Sequence, residues 1–281
     1  MNGWAFAFTR RWAGYLALTI LFACVCAGLG VWQLARRNEA LAEIALVADN
    51  YDSDPVPVAE ALPDLAGYDD DDQKWLPVEM HGSYLVDQQL LVRNRPLNGN
   101  PGFEVLTPLK LDDGTVFVVD RGWLPIGSAQ DAPDEVPAPP SGEVTVVARL
   151  KAGEPSIPSR TAGEGQIATI QLDDIAARVG ADTYTGAYGL LASESPAARD
   201  QPPAAVTKPQ PDEGPHLSYA FQWFVFGLMA FVGLGYAVRQ EYRTVNADDP
   251  EERERAAERE RRRSARKRSD SEIEDEILGS R

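Results

Sequence analysis

One histidine stands where an apolar helix ought to begin. The stretch GPHLSYAFQWF starts at Gly214, and from Leu217 to Val238 no residue is charged. Pro215 suits the first position of a helix and Gly214 tolerates the cap, so a helix is predicted from about His216. At 100° per residue, His216, Tyr219, Ala220, Trp223 and Gly227 then share one face. A neutral imidazole is a good axial ligand for heme iron, and stacked aromatics beside small residues suit a flat macrocycle. The same face fits an interfacial aromatic belt whose imidazole bonds to lipid headgroups. Residue types alone leave both readings open.

Little else resembles a catalytic kit. His81 is the only other histidine, and the chain contains no H-E-x-x-H, G-x-S-x-G or P-loop pattern. No enzyme is expected. The Asp69–Asp72 run lacks the Gly and closing Glu of a calcium loop and reads as a solvated acidic turn. Cys24 and Cys26 are the only cysteines, about 200° apart on a helix, so they form neither a disulfide framework nor a joint metal site. Arg93, Arg95 and Arg121 end short Val-rich runs. Their planar forks suit carboxylates, either internally through Asp87, Asp120 or Glu104, or on a ligand or partner.

The elements that must position these residues begin with two spans. Trp12–Ala35 is 24 residues without a charge and Leu217–Val238 is 22 more, each long enough to cross the hydrocarbon. Small residues Gly28, Gly30, Gly233 and Ala237 would let the two helices approach. A rival reading, cleavage at Leu21-Phe22-Ala23-Cys24, meets a bulky Phe22 and an apolar run that continues 11 residues beyond. The arginine pairs flanking the first span balance. Arg239, Arg243, Arg253 and Arg255 follow the second, against Lys208 before it, which predicts both termini on the cytoplasmic side. Only 11 residues precede the first span, too few for a transit peptide, so a bacterial plasma membrane is expected.

The net charge of −16 is concentrated between the spans, where residues 38–215 carry 30 acidic and 11 basic side chains. That field repels phosphate backbones and excludes nucleic acid as a partner. Residues 49–73 are rich in Asp and Pro and read as an exposed acidic connector; 193–214 read as a Pro-rich linker. Between them, WLPVEMHGSYL, QQLLVRNRPL, FEVLTPLKL, TVFVVDRGWLPI and EVTVVARL are short apolar runs punctuated by turn residues, the signature of an antiparallel sandwich or small barrel. Asp113-Gly114 marks a hairpin, and Leu172–Val179 one helix stopped by Gly180. Residues 239–281 have charged pairs but no apolar stripe, so a mostly disordered cytoplasmic tail is expected. The fold class is therefore a membrane protein: two transmembrane helices (12–35 and 216–238) flanking a mainly antiparallel β (α+β) extracytoplasmic domain (36–215), with a cytoplasmic N-terminus at 1–11.

Several stretches in this order resemble the Surfeit-locus family of cytochrome c oxidase assembly factors. Gly30-Val31-Trp32-Gln33-Leu34-Ala35-Arg36 is similar to its first-helix exit. Arg93-Asn94-Arg95, Gly102–Leu109, Asp113-Gly114 and Asp120-Arg121-Gly122-Trp123-Leu124-Pro125 are similar to its central block, and His216–Phe224 to its second-helix start. Departures are Asp120, where many members carry Asn, Pro215 before the histidine, the acidic connector and the charged tail. The resemblance implies an assembly factor that aids heme a insertion or steadies the nascent heme–copper subunit, with His216 as the heme a axial ligand and no other metal site. It implies Tyr219, Trp223 and Trp32 as packing residues and Arg36, Arg37 or Arg121 as contacts to propionates or a partner. The expected partners are the oxidase catalytic subunit, heme a synthase and membrane lipid. The alternative is a membrane-anchored scaffold that binds oxidase subunits without any cofactor.

Overall fold

A computed structural model describes residues 3–128, 132–157, 159, 161–180, 182–198 and 201–279. They form two units, residues 40–212 and the two chain ends, residues up to 39 with 213 onward. The elements in chain order are α1 (Arg10–Asn50), β1 (Val56–Pro57), α2 (Val58–Ala61), α3 (Asp70–Gln73), β2 (Pro77–Tyr84), β3 (Leu90–Val92), β4 (Gly102–Leu111), β5 (Val116–Pro125), β6 (Glu143–Ala152), β7 (Gln166–Ile167), α4 (Leu172–Val179), β8 (Ala187–Ser195), α5 (His216–Val245) and α6 (Pro250–Gly279).

The strands of the first unit close on themselves. Their order is β1-β2-β6-β8-β5-β4-β3-β7, and an additional pairing of β2 with β4 joins five of them into a ring, a small barrel. Most pairs are antiparallel, but β1–β2, β3–β7 and β5–β8 are parallel, so the expected antiparallel sheet is mixed. Closure happens at Gly82, opposite Leu111. A methyl there would lie 2.0 Å from the Lys110 carbonyl oxygen, so the two backbones meet only because no side chain intervenes.

Alternation along each strand builds two apolar layers. Val78 and Met80, Leu109 and Phe117, Val119, and Val146 to Leu150 at every second position fill the ring interior. The opposite faces of β4, β5 and β8 give Leu106, Val118, Tyr188 and Leu190 to a second cluster, covered by Leu172 and Ile175 of α4 and by Val47 of α1. Both faces of β5 are therefore buried, as its unbroken apolar run demands. α4 starts with Asp173 and Asp174 in its first turn and ends at Gly180 in the left-handed region, φ 70°. Asp113-Gly114 turns the β4–β5 hairpin with Gly114 at φ 93°, and the Asp113 carboxylate accepts from the Thr115 N–H at 2.9 Å.

Three expectations are corrected. The 49–73 stretch is no exposed connector: it contains β1, α2 and α3, and Val58, Ala61 and Leu62 enter the ring core. A few apolar positions decide burial even where the average composition is polar. The 193–214 stretch begins as the end of β8, and Ala204 then pairs with Trp123 through two 2.8 Å backbone bonds. Gly122, at φ 120°, permits that return, since a methyl there would be 2.5 Å from the Ala204 oxygen. The tail, expected to be mostly disordered, is helical as α6, with Arg255–Glu251 at 3.2 Å and Arg262–Glu258 at 2.6 Å one turn apart.

One ionisable group in the sheet stands out. Asp120 is 1% exposed, and its Oδ1 accepts from the Gly122 N–H at 2.9 Å. Burial, then the charge of Glu104, pushes its pKa well above the ordinary carboxylate value, against the Gly122 bond and the positive charges of Lys151 and Arg95. Folding thus favours its neutral form, and the folded state holds more protons than the unfolded one as pH rises above the unfolded value. Stability contributed by this group is present at low pH and falls as pH climbs through its raised folded pKa.

Two outcomes follow. Gly82→Ala should lower the melting temperature by about 2–10 °C, from roughly 1–3 kcal/mol of overpacking, whereas Gly163→Ala, with space around it, should stay near the parent. Asp120→Asn keeps the acceptor for Gly122 and removes the titration. Its melting temperature should match the parent at low pH and pull ahead by about 2–4 °C or more towards pH 8. A gap that does not widen with pH would show that folding does not raise the Asp120 pKa.

Candidate functional site

His216 opens α5 in the unit formed by the chain ends. Its position depends on how α5 meets the first part of α1. Both helices are long and apolar enough to cross a membrane, and most of their apolar side chains, among them Leu18, Leu21, Val31, Phe221, Leu228 and Val232, face outward. A water-soluble pair would turn this surface inward. Contact runs along a narrow seam of α1 at Ala23, Cys26, Gly30 and Gln33, spaced three and four apart like a coiled-coil edge.

The partners along the seam come in reverse order. Gly227 would place a methyl 3.5 Å from the Cys26 Cβ, and Gly30 would place one 2.7 Å from the Phe224 ring. His216 meets Gln33, and Arg37 pairs with Glu213 at 2.8 Å. At the other end Arg11 pairs with Glu241, and Trp4 stacks on Tyr242 with ring centres 4.5 Å apart. The helices are antiparallel. The glycines that allow close approach are Gly30 and Gly227; Gly28 and Gly233, which composition offered, touch nothing within 4 Å of a would-be Cβ.

The imidazole is half-buried, and its Nδ1 lies 2.9 Å from Oε1 of Gln33. With the amide presenting its oxygen, Nδ1 donates, and in the neutral ring the lone pair then lies on Nε2. Among the described residues Nε2 has no hydrogen-bond partner. Gly214 clears its approach: at φ 65° it has no side chain, and a Cβ there would press within 3.2 Å of Nε2 and Cδ2. A neutral imidazole with one nitrogen anchored and the other open is the donor chemistry that an axial iron ligand requires. The residues present therefore fit a heme group at His216.

The other expected site residues are less concentrated. Ala220 is buried in the seam and Trp223 is half-buried, with its ring edge-on to Phe226 at 5.9 Å. Tyr219 and Trp32 face outward, 48% and 54% exposed. They border the helix pair rather than wall in the imidazole. Arg36 forms an ion pair with Glu39 at 2.5 Å, and Arg37 with Glu213. Gln33 was not singled out by sequence. Its signal was available: it is an amide inside an otherwise uncharged span, where a polar side chain needs a partner.

Arg121 belongs to the barrel unit and is corrected as a surface contact. It is 2% exposed, its Nη1 donates to the Pro137 carbonyl at 2.9 Å, and its guanidinium lies 5.8 Å from the Tyr84 ring centre. Burial lowers its pKa, opposed by Glu194 and Tyr84. A partner cannot grip a group so covered. Arg95 instead makes the internal pairs that sequence suggested, at 3.0 Å to Glu104, and adds Glu154 at 2.5 Å. Arg93 uses its backbone N–H to hold Ile167 across β3 and β7. The barrel unit also has a cavity of about 580 Å³ between Ala40–Ala48 of α1 and the 208–212 stretch, with Glu43 on its wall. Burial resists ionisation of Glu43, but bonds from Lys74 at 2.8 Å and the Trp75 indole at 3.2 Å prevail and lower its pKa.

Comparison with known proteins covers both the seam and the barrel. The SURF1 family profile matches residues 20–228, a span that includes Gln33 and His216. An uncharacterized SURF1-like protein of Mycobacterium bovis is 32% identical over 244 residues, 85% of this chain and 88% of its own. One of Mycobacterium tuberculosis strain H37Rv matches to the same extent. The cytochrome oxidase assembly protein SHY1 of Saccharomyces cerevisiae is 28% identical over 129 residues, 44% of this chain and 32% of its own. With the helix seam, the barrel and the histidine all inside one matched span, the chain belongs to the SURF1 family.

Proposed function

We propose that this protein is a cytochrome c oxidase assembly factor that holds heme a as cargo on its way to the oxidase's catalytic heme–copper subunit. The yeast relative, a cytochrome oxidase assembly protein, supports the oxidase assembly role. The observation that carries the heme reading is the His216–Gln33 pair, which fixes one ring nitrogen and leaves the other bare. In this reading α1 and α5 cross a bacterial plasma membrane with both termini in the cytoplasm and the barrel unit outside. Arg239, Arg243 and the arginines beyond them supply the positive flank that stays inside.

Each residue then has a task. His216 ligates through Nε2; Gln33 holds the tautomer and the ring plane. Trp223, with Tyr219 and Trp32 along the same rim, offers aromatic surface to the macrocycle. Arg36 and Arg37 lie within two turns of Gln33 and already hold carboxylates, Glu39 and Glu213, that propionates of the cargo would replace. Bound iron supplies an electrophile for the imidazole lone pair. Heme a synthase is the donor, and the catalytic subunit the acceptor.

The test is the visible spectrum of the full chain purified from cells that make heme a. His216→Ala should abolish the heme band, and Gln33→Leu should weaken retention by about 10- to 100-fold, the usual effect of losing a hydrogen bond that orients a ligand. An undiminished band in His216→Ala would overturn the heme role and leave a scaffold that binds oxidase subunits without a cofactor.

A further inference from the structure

At the Arg239 end of α5 the helical unit has a second concave feature, and we propose that it binds the phosphate of an anionic phospholipid. A cavity of about 380 Å³ there is lined by Trp4 and Tyr242 and by four arginines, Arg239, Arg243, Arg255 and Arg259, with Glu252 as the one carboxylate on its wall. That carboxylate is committed. Its side chain is 8% exposed and pairs with Arg259 at 2.6 Å, with Arg255 a further 3.9 Å away. Arg255 is also held by Glu251 at 3.2 Å.

Arg239 and Arg243 are different. They stand one turn apart on α5, and among the described residues neither has an ion pair or a hydrogen-bonded side-chain partner. Two guanidinium forks at that spacing can share the oxygens of one phosphate, a geometry that ammonium groups do not offer. Position selects the class of phosphate. Arg239 is the first charge after the apolar run Leu217–Val238, so on the spanning reading of α5 its head lies at headgroup depth.

The rest of the wall is not polar. Gly235 and Val238 continue the cavity into the apolar part of α5, and Trp4, 55% exposed and stacked on Tyr242, provides an amphipathic ring at the same level. A free phosphate ion would use only the arginines. An amphiphile uses both halves of the site, which is why the lipid is assigned.

The full chain in detergent is mixed with phosphatidylglycerol or phosphatidylcholine of identical acyl chains, and retained lipid is read by native mass spectrometry. Phosphatidylglycerol should be retained about tenfold over phosphatidylcholine. Arg239→Gln with Arg243→Gln should reduce its retention by roughly 10- to 30-fold, at about 1 kcal/mol per arginine. Arg253→Gln, whose guanidinium pairs with Asp248 at 2.7 Å and does not line the cavity, should leave retention unchanged. Equal retention of the two lipids, or indifference to the double glutamine variant, overturns the site. Displacement of phosphatidylglycerol by inorganic phosphate at millimolar concentration overturns the lipid assignment in favour of a soluble phosphate. Should the glutamine pair unfold, Arg239→Lys with Arg243→Lys decides: several-fold weaker retention supports the fork, and unchanged retention rejects it.

Discussion

A hydrogen bond between an imidazole and an amide, in a seam otherwise made of small residues and the Phe224 ring, governs the helical unit. The two half-buried polar groups satisfy each other, so each fixes the other's position and the register of the two helices with it. Register in turn decides which small residues meet. With Gln33 opposite His216, Gly30 comes under the Phe224 ring and Gly227 against Cys26. A slip of one residue would set Phe224 against Val31 or Leu29, neither of which leaves room for a ring. The polar pair and the glycines therefore enforce one geometry by independent means, the first through hydrogen-bond satisfaction and the second through steric exclusion.

The barrel reaches definition by other physics. Its ring closes where Gly82 allows two backbones to touch, and its interior is filled by apolar side chains at every second position, from Ala148 to Phe117 in size. Some of the polar groups it buries have identifiable partners: Arg95 lies between Glu104 and Glu154, and Tyr84 donates to Glu194 at 3.0 Å. Asp120 has a weaker claim on its place. Its Oδ2 has no partner among the described residues, and its neutral form is the one that folding favours. An asparagine would make the same bond to Gly122 without that dependence on pH, which gives a physical sense to the departure noted at this position.

Legibility in the sequence followed the range of the interaction. α4 could be read to the residue because its acidic first turn and Gly180 stop are local, and the β4–β5 hairpin because Asp113-Gly114 carries its own turn chemistry. The two apolar spans declared themselves by length, although α1 runs on to Asn50 through Ala-, Leu- and Glu-rich sequence that favours helix without a lipid-like composition. β8 was missed, since AYGLLASES neither alternates cleanly nor carries turn signals on both sides. The 49–73 stretch misled because three apolar residues among many Asp and Pro, Val58, Ala61 and Leu62, enter a core formed by strands as distant in sequence as β8. His216 could be seen from its setting. Its partner could not, because the bond to Gln33 joins positions 183 apart and nothing local in either helix specifies it.

On the proposed reading the chain has to release what it holds, and the arrangement around His216 bears on how. Two fixed axial ligands would make a cage whose opening needs the helices to part. Here one ring nitrogen is available, and Tyr219, one turn on from His216, and Trp32, next to Gln33, are half exposed rather than enclosed. On the proposed reading the affinity of the cargo is split between a single iron–nitrogen bond, aromatic contact along an open rim, and arginines whose carboxylate partners Glu39 and Glu213 compete for the same forks. Each of these can be replaced in turn by groups of an acceptor approaching along the rim, with no step in which all are lost together. Stepwise exchange keeps the barrier to transfer below the full binding free energy, which an enclosed site could not do.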